Sequence, residues 1–273
     1  MPVEIVVIAG VVVFVLIITI LIGGRMTRSE LEKDIKKLLL SSANISDKIY
    51  SSEQIKDLPD PVQRYFKYSL RENQHYLSNA RLKHGGKFNP GQKWFPIQGE
   101  EYFTIQNPGF VWFGKLPFFS ARDMYYDGFG YMKVKLLSAV KIIDARGKEL
   151  DQGALVRWLA EAPWFPTALL PSEKLKWEPI DYDSARVIFT DKYLTVDGVF
   201  YFNEQGQITK FSAKRYRNKD MEKWSGIYRD YKEIEGMQIP HYVEVTWNLG
   251  SGDFTYVKFR LDKVEYNKPY QFT

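Results

Sequence analysis

The amino-acid sequence predicts an α+β fold in which an N-terminal transmembrane helix is followed by a curved antiparallel β-sheet with a helical insert. Three observations predict this fold. The chain of 273 residues begins with an uncharged apolar stretch, and aromatic residues make up 16% of it. Its C-terminal third alternates between apolar and polar residues, as strands do. Because strands and helices do not alternate regularly, a doubly wound parallel sheet is excluded.

The composition excludes several classes of function. The chain has no cysteine, which rules out disulfides, a thiol nucleophile and cysteine-ligated zinc or iron–sulfur sites. Its three histidines, His75, His84 and His241, have no carboxylate at metal-ligand spacing. We therefore expect neither a metal site nor a cofactor. The net charge of +5 is a mild basic bias that is spread along the chain.

Residues 5–22 form an apolar run in which only Thr19 is polar. Extended to Gly24, the run can cross a hydrocarbon layer roughly 30 Å thick, at about 1.5 Å per helical residue. A cleaved signal peptide is the alternative, but such a peptide begins with basic residues, whereas only the acidic Glu4 precedes this run. We therefore expect an uncleaved single-pass anchor over residues 1–24 that holds the protein in the cell membrane.

The basic residues near this anchor all follow it. Arg25, Arg28 and Lys33 lie on its C-terminal side, and no lysine or arginine precedes it. The positive-inside rule therefore predicts a cytoplasmic location for the large domain. An extracytoplasmic location stays open.

Residues 25–54 are interpreted as an amphipathic helix and a connector. The apolar positions recur at helical spacing and are Leu31, Ile35, Leu38 and Leu39. The predicted helix, over residues 27–40, either lies on anionic headgroups or serves as a stalk. The soluble α+β domain then occupies residues 55–273 and begins with a helix near Asp60.

Strands dominate this domain from Leu77 onwards. Residues 241–248 and 255–261 alternate between apolar and polar side chains, the pattern of half-buried strands. Shorter aromatic-rich strands are predicted at Glu101–Ile105, Phe110–Phe113, Met124–Asp127 and Tyr131–Leu136. Leu194–Phe202 is predicted as one strand with a bulge at Gly198. Because about ten strands in one sheet must curl, we expect a half-barrel.

A helical insert interrupts the strands. We predict a helix over residues 152–162 that is capped by Asp151 and ended by Pro163. An apolar, proline-framed loop follows at residues 164–171. Surface loops normally carry polar groups, so this loop either packs under the sheet or lines a cavity.

Several sequence motifs are distinctive. They are Leu58–Phe66 (LPDPVQRYF), Pro108–Trp112, Glu149–Gly153 (ELDQG), Trp164–Pro171 (WFPTALLP) and Asp230–Pro240. Together they resemble a bacterial and archaeal family of membrane-anchored proteins of unknown function, a likeness that implies no particular reaction. The stretch from Tyr228 to Trp247 is also similar to the lipoprotein-carrier and outer-membrane lipoprotein-sorting proteins. That second likeness implies a curved half-barrel that holds acyl chains outside the cytoplasm.

Aromatic residues on the predicted inward faces suggest an apolar pocket beneath the insert. Its predicted lid is Trp158, Trp164 and Phe165, its predicted floor is Trp112, Phe200 and Trp247, and Glu161 is also placed in the lining. The alternative is a plain aromatic core without a ligand.

These features predict a membrane-tethered protein that binds a hydrophobic or lipid-like ligand. One alternative is an envelope-associated scaffold that has a solid aromatic core and binds another protein. Another is a hydrolase that uses Glu161 or Asp151, although these residues are about 15 Å apart along a helix and a hydrolytic pair needs roughly 5–10 Å. The basic residues between Lys210 and Lys219 are interpreted as a solvated strand face, so no nucleic acid is expected as a partner.

Overall fold

The structure, a computed structural model, describes residues 3–42 and 44–272. Within the first helix, the side chains of Ile5, Val6, Ala9, Val12 and Leu16 lie outside the described residues. In the described part of the chain, 13 strands form one antiparallel sheet, more than the sequence predicted. The fold is therefore mostly sheet.

Helices precede and interrupt the sheet. Helix α1 spans Val3–Leu40, α2 spans Asp60–Ser69 and α3 spans Lys148–Glu161. Short 3₁₀ turns lie at Ser52–Ile55, Ala162–Trp164 and Pro166–Leu169. The strands before α3 are β1 (Asn79–Phe88), β2 (Phe95–Thr104), β3 (Gly109–Lys115), β4 (Phe119–Tyr126), β5 (Phe129–Leu136) and β6 (Val140–Ala145). The strands after it are β7 (Leu175–Pro179), β8 (Ser184–Asp191), β9 (Leu194–Phe202), β10 (Ile208–Arg217), β11 (Asp220–Ile234), β12 (Met237–Leu249) and β13 (Gly252–Tyr266).

The sheet curls around α3. Its strand order is β6-β5-β4-β3-β2-β1-β13-β12-β11-β10-β9-β8-β7. Helix α3 packs against β4 and β5 and also against β9 and β10, although these pairs are far apart in the strand order. Only a strongly curved sheet brings both pairs to one helix. The hydroxyl of Tyr193, between β8 and β9, also donates to the carbonyl of Gly128, between β4 and β5, at 3.0 Å. The predicted curved sheet with a helical insert is confirmed.

The predicted alternation in β12 is confirmed, but the predicted bulge at Gly198 is wrong. Of the four residues predicted to face inward, His241, Val243 and Trp247 are buried and Val245 is half-buried, as are the residues between them. Gly198 pairs in regular register with Val187, and the irregularity lies in β10, between Ile208 and Lys210. Glycine is needed at position 198 for a different reason, because a Cβ there would collide with the ring of Phe211.

The two predicted N-terminal segments, the anchor and the amphipathic helix, form one continuous helix, α1. Its C-terminal half packs on the outer face of the sheet through the predicted positions Leu31, Ile35, Leu38 and Leu39, which contact Tyr102, Val111 and Phe113. Glu30 adds ion pairs to Arg122, Lys133 and Lys135. The helix therefore docks on the sheet by burying the predicted apolar stripe.

The predicted transmembrane anchor over residues 5–22 is not supported by the structure. Among the described residues, no helix is long and apolar enough to cross a membrane. Part of the predicted span falls on Ile5, Val6, Ala9, Val12 and Leu16, whose side chains lie outside the described residues.

Helix α3 begins earlier than predicted, and Asp151 does not cap it. The cap position is Gly147, and Asp151 lies in the first turn. Its carboxylate accepts a hydrogen bond from the backbone N–H of Gly130 at 2.6 Å, so it ties α3 to β5. The helix ends at Glu161, before Pro163, and the apolar loop that follows packs under the sheet as two buried 3₁₀ turns.

Candidate functional site

The aromatic residues predicted to line a pocket are all buried, but they fall into two groups. The first group is sealed in the core with 0–3% exposure and contains Trp158, Trp164, Phe165 and Phe200. The second group, Trp112 and Trp247, retains 7% and 9% exposure. All six residues belong to one hydrophobic cluster, and the difference in exposure separates Trp112 and Trp247 from the other four, which include the predicted floor residue Phe200.

The sealed group packs ring against ring. Trp158 stacks on Phe189 with ring centroids 4.9 Å apart, and Phe165 lies 4.7 Å from Phe103. The indole N–H of Trp158 donates to the carbonyl of Thr104 at 3.1 Å. Such contacts are typical of a close-packed core. A ligand-contact role for this group stays a prediction.

A groove of about 850 Å³ lies elsewhere, between α1, the β4–β5 hairpin and the start of α3. Its lining is rich in charge and in tyrosine and includes Lys33, Lys37, Arg122, Tyr126, Tyr131 and Arg146. Of the residues singled out in the sequence, Asp151 lies in this lining. The groove depends on how α1 docks on the sheet, which no local sequence pattern indicates.

Arg157, on α3, is the centre of a largely buried group of charges that the sequence did not predict, with side chains 1–16% exposed. Its guanidinium donates to Glu101 at 2.7 Å, to Asp123 at 2.9 Å and to Glu161 at 2.9 Å. We call these four residues the Arg157 cluster. They come from α3, β2 and β4, so the cluster ties the helix to the concave face of the sheet.

Burial controls protonation within the Arg157 cluster. Burial raises the pKa of Glu101, and the negative charges of Glu161 and Asp123 raise it further, although Arg157 opposes the shift. Burial also raises the pKa of Glu161. Oε2 of Glu161 has no partner among the donors of the described residues. A proton held between Glu101 and Glu161 would satisfy this oxygen and would leave fewer uncompensated charges in the interior.

His84 lies beside the Arg157 cluster and is neutral. Burial and the positive charge of Arg157 lower the pKa of His84 to about 3. Its Nε2 accepts a hydrogen bond from the indole N–H of Trp112 at 2.8 Å, and its ring stacks on Phe259. A Cβ at Gly99 would collide with this imidazole, which explains the glycine at that position. His84 therefore positions the Trp112 ring.

An apolar strip extends from Trp112 across the concave face. Its members, Trp112, Phe259, Val257, Trp247 and Trp224, retain 4–9% exposure, and we call them the concave strip. The rings of Trp112 and Phe259 lie 6.4 Å apart, and Trp224 and Trp247 are register partners in β11 and β12. The strip therefore runs across the neighbouring strands β11, β12 and β13, and its Trp112 end lies on β3, with β1 and β2 between β3 and β13.

Guanidinium groups lie at both ends of the concave strip. Arg157 lies 5.1 Å from the Trp112 ring centroid, and Arg215 lies 4.9 Å from that of Trp224. Arg215 also donates to the carbonyl of Gly153 on α3 at 2.9 Å. The arrangement offers an apolar surface with hydrogen-bonding groups at each end, which suits an amphiphilic molecule.

The structure does not bring Asp151 and Glu161 together. Asp151 bonds to Gly130 at the start of α3, whereas Glu161 belongs to the Arg157 cluster at its end. The carboxyl groups that share Arg157 with Glu161 include that of Glu101, a residue that the sequence did not single out. The two carboxyl groups therefore do not form an acid–base pair, as their spacing along a helix predicts.

Fold and site define a curved-sheet protein with an aromatic concave face and a buried charge cluster. The chain belongs to a family of unknown function, DUF6544, whose match covers residues 48–259. The predicted resemblance to a family of unknown function is therefore confirmed. No curated protein matches the chain.

Two solved structures are similar to this one over most of their length. A LolA superfamily protein from Nitrosomonas europaea is 10% identical, with a TM-score of 0.43 over 75% of this chain and 91% of the other. A DUF1329 family protein from Desulfovibrio piger is also 10% identical, with a TM-score of 0.41 over 87% of this chain and 93% of the other.

Glu101→Gln should flatten the pH dependence of stability. The raised folded-state pKa of Glu101 means that the folded protein holds a proton that the unfolded chain releases near pH 4–5. The stability from this proton is present at low pH and is lost as the pH rises through the folded-state pKa. Glutamine keeps a donor toward Glu161 but does not titrate.

The measurement is the free energy of unfolding in urea between pH 5 and pH 8. The difference between wild type and Glu101→Gln should change by up to about 1.4 kcal/mol per pH unit, the limit for one proton. Glu100→Gln, one residue away on the opposite face of β2, is the control. Parallel curves for wild type and Glu101→Gln would contradict the shared proton.

Trp164→Ala should lower the free energy of unfolding by about 3–5 kcal/mol, the usual range for truncating an aromatic residue in a packed core. Trp164 is 3% exposed and packs against Phe103. Urea denaturation measures the loss, and the control is Trp94→Ala, at 38% exposure on the β1–β2 turn. A loss of only about 1–2 kcal/mol would instead indicate open space beside Trp164, which is what the predicted lid over a ligand pocket requires.

Proposed function

We propose that this protein binds an amphiphilic, lipid-like ligand along the concave strip while attached to a membrane. The observation that carries the proposal is the partial exposure of the strip. Its side chains retain 4–9% exposure on the concave face, whereas the aromatic residues beneath the insert retain 0–3%. An apolar chain laid on the strip would remove this surface from water.

The guanidinium groups at the two ends of the concave strip can donate hydrogen bonds to the polar part of such a ligand. Arg157 donates three hydrogen bonds to carboxylates, and a guanidinium has five N–H groups, so it can also donate to a ligand. At the other end Arg215 lies over the rings of Trp224 and Trp247. A ligand with hydrogen-bond acceptors next to an apolar chain, such as a fatty acid or a lysolipid, matches these groups.

Attachment to a membrane is supported by the N-terminal half of α1. The consecutive residues Val13, Phe14 and Val15 are 55–63% exposed, so apolar side chains cover more than one face of the helix. Apolar side chains exposed on more than one face of a helix favour apolar surroundings. Lipid would supply them, and Arg25 and Arg28 just beyond this stretch favour a cytoplasmic location of the large domain.

A protein-binding scaffold is the second candidate. It is favoured by the sealed packing of Trp158, Trp164, Phe165 and Phe200, since a solid core needs no ligand. The two candidates differ in whether the concave strip binds anything.

Trp247→Ala should weaken the binding of a dansyl-labelled fatty acid to the full-length protein by at least about tenfold, because a large aromatic contact is lost. Energy transfer from tryptophan to the dansyl group during titration measures the affinity. The matched control is Trp177→Ala, since Trp177 has the same 9% exposure but lies on the edge strand β7. Equal losses in both variants, or no binding by the wild type, would overturn the proposal and favour the scaffold.

A further inference from the structure

Five apolar side chains form an exposed patch at one end of the sheet. They are Phe118, Phe119, Val140, Ile142 and Ile143, each 40–59% exposed, and we call them the rim patch. The backbone N–H of Leu137 donates to the carbonyl of Phe118 at 2.7 Å, so the β3–β4 turn lies against the β5–β6 turn. Apolar side chains that are exposed together mark an interaction site.

Helix α1 leaves the sheet beside the rim patch. The hydroxyl of Thr27 donates to the carbonyl of Ser138 at 2.9 Å. A Cβ on Gly23 would lie 2.6 Å from Cα of Ala139, so the glycine permits this close crossing. From Val3 to Gly23 the helix extends about 30 Å beyond the β5–β6 turn, at about 1.5 Å per residue. The rim patch thus lies at the base of the exposed apolar part of α1.

We infer that the rim patch rests in the headgroup region of the lipid bilayer that surrounds the N-terminal half of α1. The inference depends on the proposed membrane attachment and adds a second contact with the membrane. The supporting observation is that the exposed apolar surface of α1 is continuous with the rim patch. A phenylalanine pair beside basic residues, here Arg25 and Lys115, suits the boundary between acyl chains and anionic headgroups.

The same contact protects an edge of the sheet. Strand β6 is the edge strand at this side, and it exposes Val140, Ile142 and Ile143. Exposed apolar edge strands invite pairing with other chains. Contact with the bilayer would cover these side chains without a protein partner.

This contact also orients the candidate ligand site. The β1–β2, β10–β11 and β12–β13 turns lie at the same end of the strands as the β3–β4 turn, by strand register. Trp224 and Trp247 are close to these turns in β11 and β12. The concave strip therefore opens toward the bilayer, from which a lipid-like ligand can enter.

Single cysteines test the inference, because the chain has none of its own. Phe118→Cys and Ile142→Cys report on the rim patch when labelled with bimane in the full-length protein. The matched control is Ile180→Cys, at 53% exposure on the turn beside β7, the opposite edge of the sheet. Phe14→Cys reports on α1. The proteins are reconstituted in vesicles of phosphatidylcholine and phosphatidylglycerol that contain a nitroxide-labelled headgroup or acyl chain.

The probes at 118 and 142 should lose most of their fluorescence to the headgroup nitroxide, whereas the probe at 180 should keep it. The probe at 14 should be quenched by the acyl-chain nitroxide. If 118 and 142 behave like 180 while 14 is quenched, the rim contact is wrong and membrane attachment stands. If 14 is not quenched either, attachment and rim contact both fail. Ligand binding at the concave strip is judged separately by the fatty-acid titration.

Discussion

The interaction on which the interior depends is the pairing of Arg157 with carboxylates from two strands and its own helix. Helix α3 lies inside a curled sheet, where an unpaired charge would cost several kcal/mol. Arg157 is held by Glu101 and Asp123 on the sheet and by Glu161 on α3, so the same contacts that compensate its charge also fix the helix. The position of Trp112, and with it one end of the concave strip, follows from this arrangement.

The sequence predicted the parts of the fold that local pattern controls. Alternating residues indicated the long C-terminal strands, and Leu194–Phe202 has the predicted ends. Strand β6 was missed because its residues are exposed at the sheet edge and show no burial alternation. The Arg157 cluster was missed because Asp123 and Glu101 are 34 and 56 residues from Arg157 in sequence. Only the topology brings these residues together, so no spacing rule indicates them.

The aromatic residues of the candidate site were likewise predicted only in part from the sequence. Inward-facing tryptophans could be recognised from the sequence, but their degree of sealing depends on where α3 and its following turns lie. Trp158 and Trp247 both lie in the core, but Trp158 is 1% exposed whereas Trp247 keeps 9% exposure on the concave face. This division moves the candidate ligand site from beneath the insert to the strip beside it. The proposed membrane contacts of α1 and of the rim patch would direct that site toward lipid.

The most direct test is the free energy of unfolding of Arg157→Met, which keeps the length of the side chain and removes its charge. The account predicts a loss of about 3–5 kcal/mol at neutral pH, because buried carboxylates lose their cation. Arg146→Met, at an exposed arginine just before α3, should stay within about 0.5 kcal/mol of wild type. If Arg157→Met is as stable as Arg146→Met, the Arg157 cluster does not hold the interior together.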